Sequence, residues 1–192
     1  MCNDYRNRIP LDALRDGFPG LETPGGAPNL EPRDDIRITD TAPVVRVGPS
    51  GAPELVQLRW SWRGPGGKPV YNFRSDGRRF PSGRCLIPAD GFYEFTDPEP
   101  PAPKRARKTK WLFTLAGQPW FCIAGLIRAG TAEGADAFAM LTTEPGPDIA
   151  AYHSRQVVVL GPDAWMAWLG GENPEAVLGP SPAGALHVEQ AA

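Results

Sequence analysis

Long apolar runs are missing from this chain of 192 residues. No stretch approaches the ~20 consecutive apolar residues that a membrane-spanning helix needs. Charged residues, among them Asp4, Arg6 and Arg8, occupy the positions where a secretory signal would need its apolar segment. The sequence therefore predicts a cytoplasmic protein with no membrane partner.

Cysteine and histidine are scarce. The cysteines are Cys2, Cys85 and Cys122, and the histidines are His153 and His187. An odd number of cysteines without a targeting signal is typical of a reducing compartment and argues against a disulfide framework. Because no Cys-x-x-Cys motif occurs and two histidines alone could join a metal site, we expect neither zinc nor another cofactor.

An excess of positive charge is also missing, since the formal net charge is -2. The distribution is nevertheless uneven, because residues 59–84 contain a single acid, Asp76, and two interleaved tryptophans. The basic residues of this window are Arg59, Arg63, Lys68, Arg74, Arg78, Arg79 and Arg84. Cations that follow phosphates and rings that stack on bases suit a groove for single-stranded nucleic acid. The alternative is a set of solvated basic loops balanced by acids elsewhere, which we favour for a second basic stretch at 104–110.

Glycine and proline, with 22 and 23 residues, favour many short strands joined by turns over long helices. The length predicts one domain over residues 1–192. We expect an α+β fold, mainly antiparallel β, with a few short peripheral helices. The patterns predict a helix over 10–17, hairpins from 43–47 with 55–60 and from 111–115 with 120–127, a strand over 138–143, helices beginning at Gly161 and Asn173, an exposed Pro-rich and basic loop at 97–110 and an uninformative tail at 182–192.

Residues 84–95 form the most informative segment. An apolar run, Cys85-Leu86-Ile87, is followed by Pro88, which cannot donate to a strand ladder, and then by turn residues. In the strand after the turn, Glu94 shares a face with Phe92. The pattern predicts two short strands and makes Glu94 a candidate functional acid. The alternative is an edge-strand charge that deters aggregation.

Cys2 directly follows the initiator methionine. Removal of Met1 leaves an α-amine and a thiol on adjacent carbons. The α-amine has a pKa near ~7.8, so roughly 15% of it is unprotonated at neutral pH. The amine can attack an aldehyde to give an imine, and the thiol can then close a thiazolidine ring with a large effective molarity. The alternative is a chance cysteine at the second position.

Two further polar residues are candidates for the same chemistry. Asn72 precedes Arg74 after a glycine-rich loop, and His153 lies between a predicted helical turn at 147–152 and a strand at 156–160. A histidine titrates near neutral pH and suits general-acid work. The structural alternatives are a turn-forming asparagine and a histidine that only satisfies local hydrogen bonds.

Trp60 and Trp62 share one face if residues 60–62 are extended. Core packing is the ordinary fate of tryptophan, and we expect it for one of the pair. The other is a candidate platform on which a base could stack.

Four sequence motifs together resemble those of a known protein family. They are Met1-Cys2, Asn72-Phe73-Arg74-Ser75-Asp76, Arg84 to Phe95, and Tyr152-His153-Ser154-Arg155. In this order they resemble the SOS-response-associated peptidase (SRAP) family, and the likeness is strongest over residues 1–169. Members of that family process abasic sites in single-stranded DNA. The resemblance implies a barrel-like SRAP fold, a monomer whose partner is single-stranded DNA containing abasic sites, and association with the nucleoid when bound to DNA.

The resemblance also implies roles for individual residues. Cys2 attaches covalently to the abasic sugar, Glu94 moves protons at its amine, and Asn72 orients the sugar through a hydrogen bond. His153 delivers the proton that opens the closed sugar ring. The same imine would allow strand cleavage by β-elimination, and Glu94 would assist removal of Met1, the source of the name peptidase. The DNA-binding set is Arg74, which matches a phosphate-contacting arginine, together with Trp60, Trp62, Arg63, Arg78 and Arg84.

Three motifs depart from the family pattern. The usual opening Met-Cys-Gly-Arg is here Met1-Cys2-Asn3-Asp4, so an anion replaces an expected phosphate-binding cation. This replacement predicts weaker DNA affinity. Phe73 stands where alanine is common, and it predicts a narrower pocket beside the candidate asparagine. His153-Ser154-Arg155-Gln156-Val157 replaces His-Asp-Arg-Met-Pro, so the loop after the histidine is expected to differ.

Two alternatives come from other functional classes. A cysteine peptidase or amidohydrolase could act on other proteins through Cys2 and His153, given an oxyanion hole and a substrate groove. A non-covalent single-strand-binding module could use arginines and tryptophans alone, with no dependence on Cys2.

Overall fold

The computed structural model describes residues 2–98, 106–130, 135–171 and 177–191. In chain order the elements are β1 (Asp4–Asn7), α1 (Leu11–Gly17), β2 (Arg33–Arg37), β3 (Thr41–Val47), β4 (Pro53–Trp60), β5 (Trp62–Arg63), β6 (Pro69–Val70), β7 (Asn72–Arg74), β8 (Arg84–Ala89), β9 (Gly91–Thr96), β10 (Thr109–Leu115), β11 (Phe121–Arg128), β12 (Ala137–Thr143), β13 (Gln156–Val157), β14 (Val159–Leu160), α2 (Pro162–Gly170) and β15 (Leu186–Gln190). None of the helices in these ranges is long and apolar enough to cross a membrane. The predicted helix beginning at Asn173 and residues 99–105 of the predicted exposed loop lie outside the described residues.

Two β-sheets carry the fold. One has the spatial order β15-β10-β9-β1-β2, and its neighbouring strands are antiparallel. In the other sheet, β12 pairs with both β4 and β11, so the path β12-β4-β3-β8-β11 closes on itself. β12 runs parallel to β4 and β7, whereas it runs antiparallel to β11 and β13. The expected α+β fold with mainly antiparallel strands and barrel-like closure is confirmed.

The hairpin predicted from residues 43–47 and 55–60 is present as β3 and β4. Val44 lies opposite Val56, so apolar residues of both strands share one face. The Gly51 N–H donates to the Gly48 carbonyl oxygen at 3.0 Å, which closes the connecting turn. Gly51 has a φ of 85°, a conformation that glycine adopts without steric cost. The local sequence was sufficient to predict this hairpin because the strand pattern and the turn residues indicate the same structure.

The segment 84–95 forms two strands, β8 and β9, as predicted, but Pro88 does not end the first. β8 continues to Ala89, and Pro88 lies opposite Cys122 of β11. On its other side β8 pairs with β3 at a single position, Leu86. The proline is tolerated because β8 has little ladder to interrupt on that side.

The second predicted hairpin, from 111–115 and 120–127, is wrong. Both segments are strands, yet β10 pairs with β9 and β15, whereas β11 pairs with β8, β12 and β14. The connection between them therefore passes from one sheet to the other. Trp120 lies in this connection and stacks on Trp165 of α2, with ring centroids 4.5 Å apart. Within the tail that we expected to be uninformative, β15 adds an edge strand to β10.

Two apolar clusters stabilise the arrangement. The first lies between the two sheets and includes Cys2 and Tyr5 near β1, Phe92 of β9 and Phe138 of β12. The second lies under the helices, with Leu14 of α1 and the α2 residues Trp165, Trp168 and Leu169 buried. Both helices were predicted, and α2 ends at Gly171, whose φ of 87° forms its left-handed cap.

Candidate active site

Cys2 lies two residues before the start of β1, in the cluster between the sheets. Its side chain is 1% exposed, and its Sγ donates a hydrogen bond to the Asp4 carbonyl oxygen at 3.2 Å. Burial, reinforced by the nearby Glu94 carboxyl, raises the pKa of the Cys2 thiol well above its ordinary value. The thiol is therefore neutral at physiological pH.

Asn72 connects Cys2 to the closed sheet. It begins β7, which pairs with β12 so that Asn72 lies opposite Met140. The Asn72 Nδ2 donates to the Cys2 carbonyl oxygen at 2.8 Å, across 70 positions of sequence. Among the described residues, no group donates to the buried Asn72 Oδ1. One side-chain amide thus fixes the chain start and keeps an acceptor for a further donor.

Glu94 is a buried acid on β9. It is 2% exposed and lies opposite Trp111 of β10. Burial raises the pKa of the Glu94 carboxyl from 4.5 to about 7. A carboxyl that titrates near neutral pH can both accept and return a proton, as a general acid–base group must.

His153 follows two successive helical turns. The Ala150 N–H donates to the Gly146 carbonyl oxygen and the His153 N–H to the Ile149 carbonyl oxygen, both at 3.0 Å. These bonds match the helical turn predicted for 147–152. The Tyr152 ring packs edge-to-face on Trp111, the residue opposite Glu94, with centroids 5.0 Å apart. Aromatic packing therefore sets the position of the histidine loop relative to β9 and β10.

The His153 ring is held through Nδ1 by the backbone of Arg155. The Arg155 N–H lies 3.0 Å from Nδ1, and the Arg155 carbonyl oxygen lies 3.1 Å from it. In the neutral ring Nδ1 accepts from the N–H, and in the protonated ring it donates to the carbonyl. Burial lowers the pKa of His153. Chemistry toward a substrate would consequently run through Nε2.

An ion pair ties the histidine loop to the segment that carries Asn72. The Arg155 Nη2 lies 2.6 Å from a carboxylate oxygen of Asp76 and donates to the Thr142 carbonyl oxygen at 2.8 Å. The Arg155 guanidinium holds the pKa of Asp76 below its usual range. Sequence reasoning missed this pair, although Asp76 and Arg155 both belong to the quoted motifs.

A cavity of about 350 Å³ lies beside Glu94 and His153. It is lined by Asn3, Glu94, Phe95, Lys108 and His153. Glu94 and His153 thus face one space, and the residue next to Cys2 forms part of its wall. The structure brings all four predicted catalytic residues together. The Asn72 Nδ2 donates to the Cys2 carbonyl oxygen at 2.8 Å, and the Glu94 carboxyl is close enough to raise the pKa of the Cys2 thiol. Sequence reasoning missed Lys108, because we assigned the 104–110 stretch to a solvated loop.

The anion at position 4 is compensated within the fold. Asp4 is 4% exposed, and its carboxylate lies 2.9 Å from the Lys110 Nζ. Lys110 also contacts the Asp35 carboxylate, and its Nζ lies 3.7 Å from the centroid of the Tyr93 ring. Burial, together with the hydrogen bond to Asp35, raises the pKa of Asp4 to about 6. Asp4 is therefore an internal partner of Lys110 rather than a charge displayed toward a ligand.

The predicted DNA-binding arginines divide into two kinds. Arg63, Arg74 and Arg78 are exposed. Arg84 was predicted with them, but it is engaged internally. Its Nε donates to the Phe80 carbonyl oxygen at 2.6 Å, and its Nη1 donates to the Trp168 carbonyl oxygen at 3.0 Å. The guanidinium of Arg84 holds the end of α2 and is a structural group.

The prediction that Trp60 or Trp62 offers a stacking platform is wrong. Ser61 has a φ of 98°, which ends the extended strand between the two tryptophans. Trp60 is 0% exposed, stacks on Phe138 and donates its Nε1 hydrogen to the Tyr71 carbonyl oxygen at 2.9 Å. Trp62 is 7% exposed in a separate apolar cluster. Both indoles are core residues.

The expectation that Phe73 narrows the pocket is also wrong. Phe73 follows Asn72 on β7 and leaves the opposite face of the strand. Its ring packs edge-to-face on Phe80 at 6.2 Å, in the second apolar cluster. The Arg78 guanidinium lies over the same ring, 5.0 Å from its centroid. Phe73 therefore supports Arg78 on the far side of β7.

Fold and site define a β-barrel protein in which the cysteine at the second position lies near an amide, a carboxyl and an imidazole. The chain belongs to the SRAP family, because the family described as SOS response associated peptidase (SRAP) matches residues 1–190.

Two relatives carry the same name. Abasic site processing protein YoqW of Bacillus subtilis strain 168 is 33% identical over 99 residues, which cover 48% of this chain and 40% of that protein. The protein of that name from Bacillus phage SPbeta matches to the same extent. The match thus spans about two fifths of the length of these curated relatives.

Solved structures share the fold. A protein from Bordetella bronchiseptica superposes with a TM-score of 0.75 at 23% identity, covering 100% of both chains. A phage-related protein from the same organism gives 0.73 at 21% identity, over 99% of this chain and 94% of that one. A protein from Bacteroides thetaiotaomicron gives 0.63 at 17% identity, over 85% and 79%.

Proposed function

We propose that this protein processes abasic sites in single-stranded DNA by covalent capture of the sugar aldehyde on Cys2 after removal of Met1. The observation that carries the proposal is the hydrogen bond from Asn72 to the Cys2 carbonyl oxygen, at 2.8 Å, beside the cavity that Glu94 and His153 line. The name of the YoqW relatives, abasic site processing protein, agrees with it.

The capture begins at the amine. The nitrogen lone pair of Cys2 attacks the aldehyde carbon, and the carbonyl π electrons move to the oxygen. Glu94, with a carboxyl pKa of about 7, accepts the proton that the nitrogen loses. It returns that proton to the oxygen, which becomes a hydroxyl group. It then moves the second nitrogen proton to this hydroxyl group, which leaves as water and gives a neutral imine. The overall step joins protein and DNA and releases one water molecule.

The thiol completes the ring. The Cys2 sulfur adds to the imine carbon, the C=N π electrons move to nitrogen, and the thiol proton is transferred to that nitrogen. No oxidant or reductant is needed. The addition is intramolecular, so its effective molarity is large. The same imine allows β-elimination of the 3′ phosphate when the ring does not close, which is the proposed lyase activity.

His153 acts before the capture. An abasic sugar is mostly a closed hemiacetal. A proton on its ring oxygen breaks the bond from C1′ to that oxygen, and the C1′ hydroxyl group loses its proton to water as the aldehyde forms. His153 donates this proton from Nε2 while its Nδ1–H donates to the Arg155 carbonyl oxygen. Because burial lowers the pKa of His153, the protonated form becomes scarce above neutral pH. The capture rate is expected to follow a bell-shaped pH profile, because it requires both a protonated His153 and a deprotonated Glu94.

The protonation state of the Cys2 thiol favours a mechanism in which the amine attacks first. It argues against a cysteine peptidase that acts on other proteins. A catalytic cysteine needs a thiolate, which requires a lowered pKa. Burial instead raises the pKa of the Cys2 thiol. A neutral thiol is a poor first nucleophile, but it suits the second step, since its proton is needed on the nitrogen. Self-processing at Met1, with Glu94 assisting, is part of the proposal.

The experiment is a denaturing gel. The protein is incubated with a labelled single-stranded oligonucleotide that has one abasic site, with Cys2→Ala and the core control Cys122→Ala run in parallel. We expect a slower band that survives denaturation for the wild type and for Cys122→Ala, and its absence for Cys2→Ala. An equal yield with Cys2→Ala would overturn the thiazolidine. Salt-sensitive binding without any such band would favour a non-covalent module.

A further inference from the structure

The cavity of the candidate site has one permanent positive charge on its wall. Of the described residues that line it, Asn3 and Phe95 are neutral, and the Glu94 carboxyl is neutral or negative. The pKa of His153 is lowered by burial, so its ring is mainly neutral at physiological pH. Lys108 is the lining residue that stays positive. An abasic sugar lacks its base but keeps a phosphate on each side, so a cation at this wall has an obvious ligand.

The neighbouring lysine cannot supply that charge. Lys110 is 23% exposed and is held between two carboxylates, with Asp4 at 2.9 Å and Asp35 in closer contact. One ammonium between two carboxylates leaves that cluster with no positive charge to offer. The cation of β1, Arg6, is paired with the Asp90 carboxylate at 2.9 Å and is not among the described residues that line the cavity. The positive charge at the wall depends on Lys108.

Lys108 is held in place by a weak contact. Its Nζ lies 3.0 Å from a carboxylate oxygen of Asp97, and the two side chains are 59% and 81% exposed. The pair extends the β9–β10 ladder by one position beyond Thr96 and Thr109, which lie opposite each other. Exposed ion pairs of this kind are weak and exchange easily. Asp97 can therefore orient Lys108 toward the cavity and still release it to a stronger anion.

We propose that Lys108 binds a backbone phosphate adjacent to the abasic sugar and that Asp97 is the counter-ion displaced when DNA binds. This assignment rests on the proposed function, since it places the sugar in the cavity lined by Glu94 and His153. It gives the residue before β10 a role in DNA binding: the ammonium holds a phosphate that flanks the sugar in the cavity.

The test is a double-mutant cycle on DNA affinity, measured with a DNA that cannot react with the protein. Fluorescence anisotropy measures the affinity of wild type, Lys108→Gln, Asp97→Asn and the double variant for single-stranded DNA with a tetrahydrofuran analogue of the abasic sugar. One lost phosphate contact lowers the salt slope by about 0.7, which corresponds to roughly eightfold weaker binding at 0.05 M salt. Asp97→Asn is expected to tighten binding about twofold in the wild type and to have a smaller effect in Lys108→Gln.

The chain offers a matched control. Arg15 and Asp12 form an exposed ion pair on α1, at 3.4 Å, with 50% and 91% exposure. Arg15→Gln and Asp12→Asn change the net charge as the test variants do, and we expect less than twofold effects. An Arg15→Gln loss as large as that of Lys108→Gln, or equal Asp97→Asn effects in both backgrounds, overturns the assignment.

The gel assay separates this assignment from the proposed function. Covalent capture by the wild type together with unchanged binding and capture in Lys108→Gln overturns the role of Lys108 and leaves the function standing. A Lys108-dependent affinity without any covalent band supports the phosphate contact and contradicts the capture. If the wild type neither binds nor captures this DNA, both are wrong.

Discussion

Two of the polar groups at the centre of the site are buried, whereas those at its rim are exposed to solvent. At the centre, Cys2 and Glu94 are 1% and 2% exposed, and burial moves both pKa values upward. At the rim, by which we mean the exposed cations assigned to DNA binding, Arg74 is exposed, and Lys108 is 59% exposed beside the Asp97 carboxylate, which is 81% exposed. Burial sets the protonation states that the chemistry needs, whereas exposure leaves the cations able to exchange partners.

This contrast separates two sets of expected phenotypes. A change at the centre should alter the rate of capture and the pH dependence of folding while DNA affinity stays constant. A change at the rim should alter affinity and its salt dependence while the chemical step stays constant. Each prediction below fails if its variant behaves like a member of the other set.

Glu94→Gln is expected to have the largest effect. The amide keeps the shape of the side chain but cannot move protons at the Cys2 amine, so the capture rate at saturating DNA should fall roughly a hundredfold or more. Single-turnover gel kinetics measure the rate, and anisotropy with the tetrahydrofuran analogue measures affinity, which should change less than twofold. A normal rate, or a loss confined to affinity, would move Glu94 out of the chemical centre.

The burial of Glu94 also predicts how stability depends on pH. The folded-state pKa of about 7 exceeds the usual 4.5, so the folded protein binds more protons in that window. The contribution of Glu94 to the free energy of unfolding is fully present below pH 4.5 and is lost as pH rises through 7. The change is of order 3 kcal/mol. Denaturant unfolding at several pH values measures it, with Glu94→Gln as reference because Asp4 titrates nearby. Parallel curves for the two proteins would contradict a buried, titrating Glu94.

Asn72→Ala is expected to slow capture roughly tenfold, as suits the loss of one buried hydrogen bond. Without the Nδ2 donor at 2.8 Å, the Cys2 carbonyl and hence the amine lose their fixed position. The single-turnover rate checks this, and Asn72→Asp is a second variant that keeps the size but not the donor. Full activity of both variants would remove Asn72 from the site.

Substitutions of Arg74 and Arg84 are expected to have the smallest effects, but each should change a different property, DNA affinity for Arg74 and thermal stability for Arg84. Arg74→Gln should weaken DNA binding roughly eightfold at 0.05 M salt and lower the salt slope by about 0.7. Arg84→Gln should leave affinity unchanged and lower the midpoint of thermal unfolding, because Arg84 donates to the Phe80 and Trp168 carbonyl oxygens. The reverse pattern would show that the exposed and internal arginines have been assigned the wrong way round.

Local elements of the fold could be predicted because their signals are complete in sequence. The β3–β4 hairpin has its alternation and its glycine turn, and α2 has its proline start and tryptophan spacing. The β10–β11 hairpin failed for a physical reason. A strand covered on both faces is apolar throughout, and its pattern cannot tell which of several strands will pair with it.

The site was predictable in its members but not in its geometry. Motif order suggested Cys2, Asn72, Glu94 and His153, and their roles stay predictions. The contact of Asn72 with Cys2 crosses 70 positions of the chain, so no local pattern contains it. Lys108 was overlooked because a basic run gives no sign of which single lysine will face a cavity. Core packing was expected for one of Trp60 and Trp62, and the stacking role expected for the other was wrong, because the φ of 98° at Ser61 is invisible in sequence.

The central claim is that the amine and the sulfur of Cys2 both bond to the aldehyde carbon of an abasic sugar. It is tested most directly with single-stranded DNA whose one abasic site has a ¹³C label at C1′. After reaction and denaturation, intact mass and ¹³C NMR report the product. We predict a mass equal to the protein without Met1 plus the DNA less one water, and a tetrahedral labelled carbon bonded to nitrogen and sulfur. A labelled carbon that stays in a hemiacetal, or the same adduct from Cys2→Ala, would contradict the account.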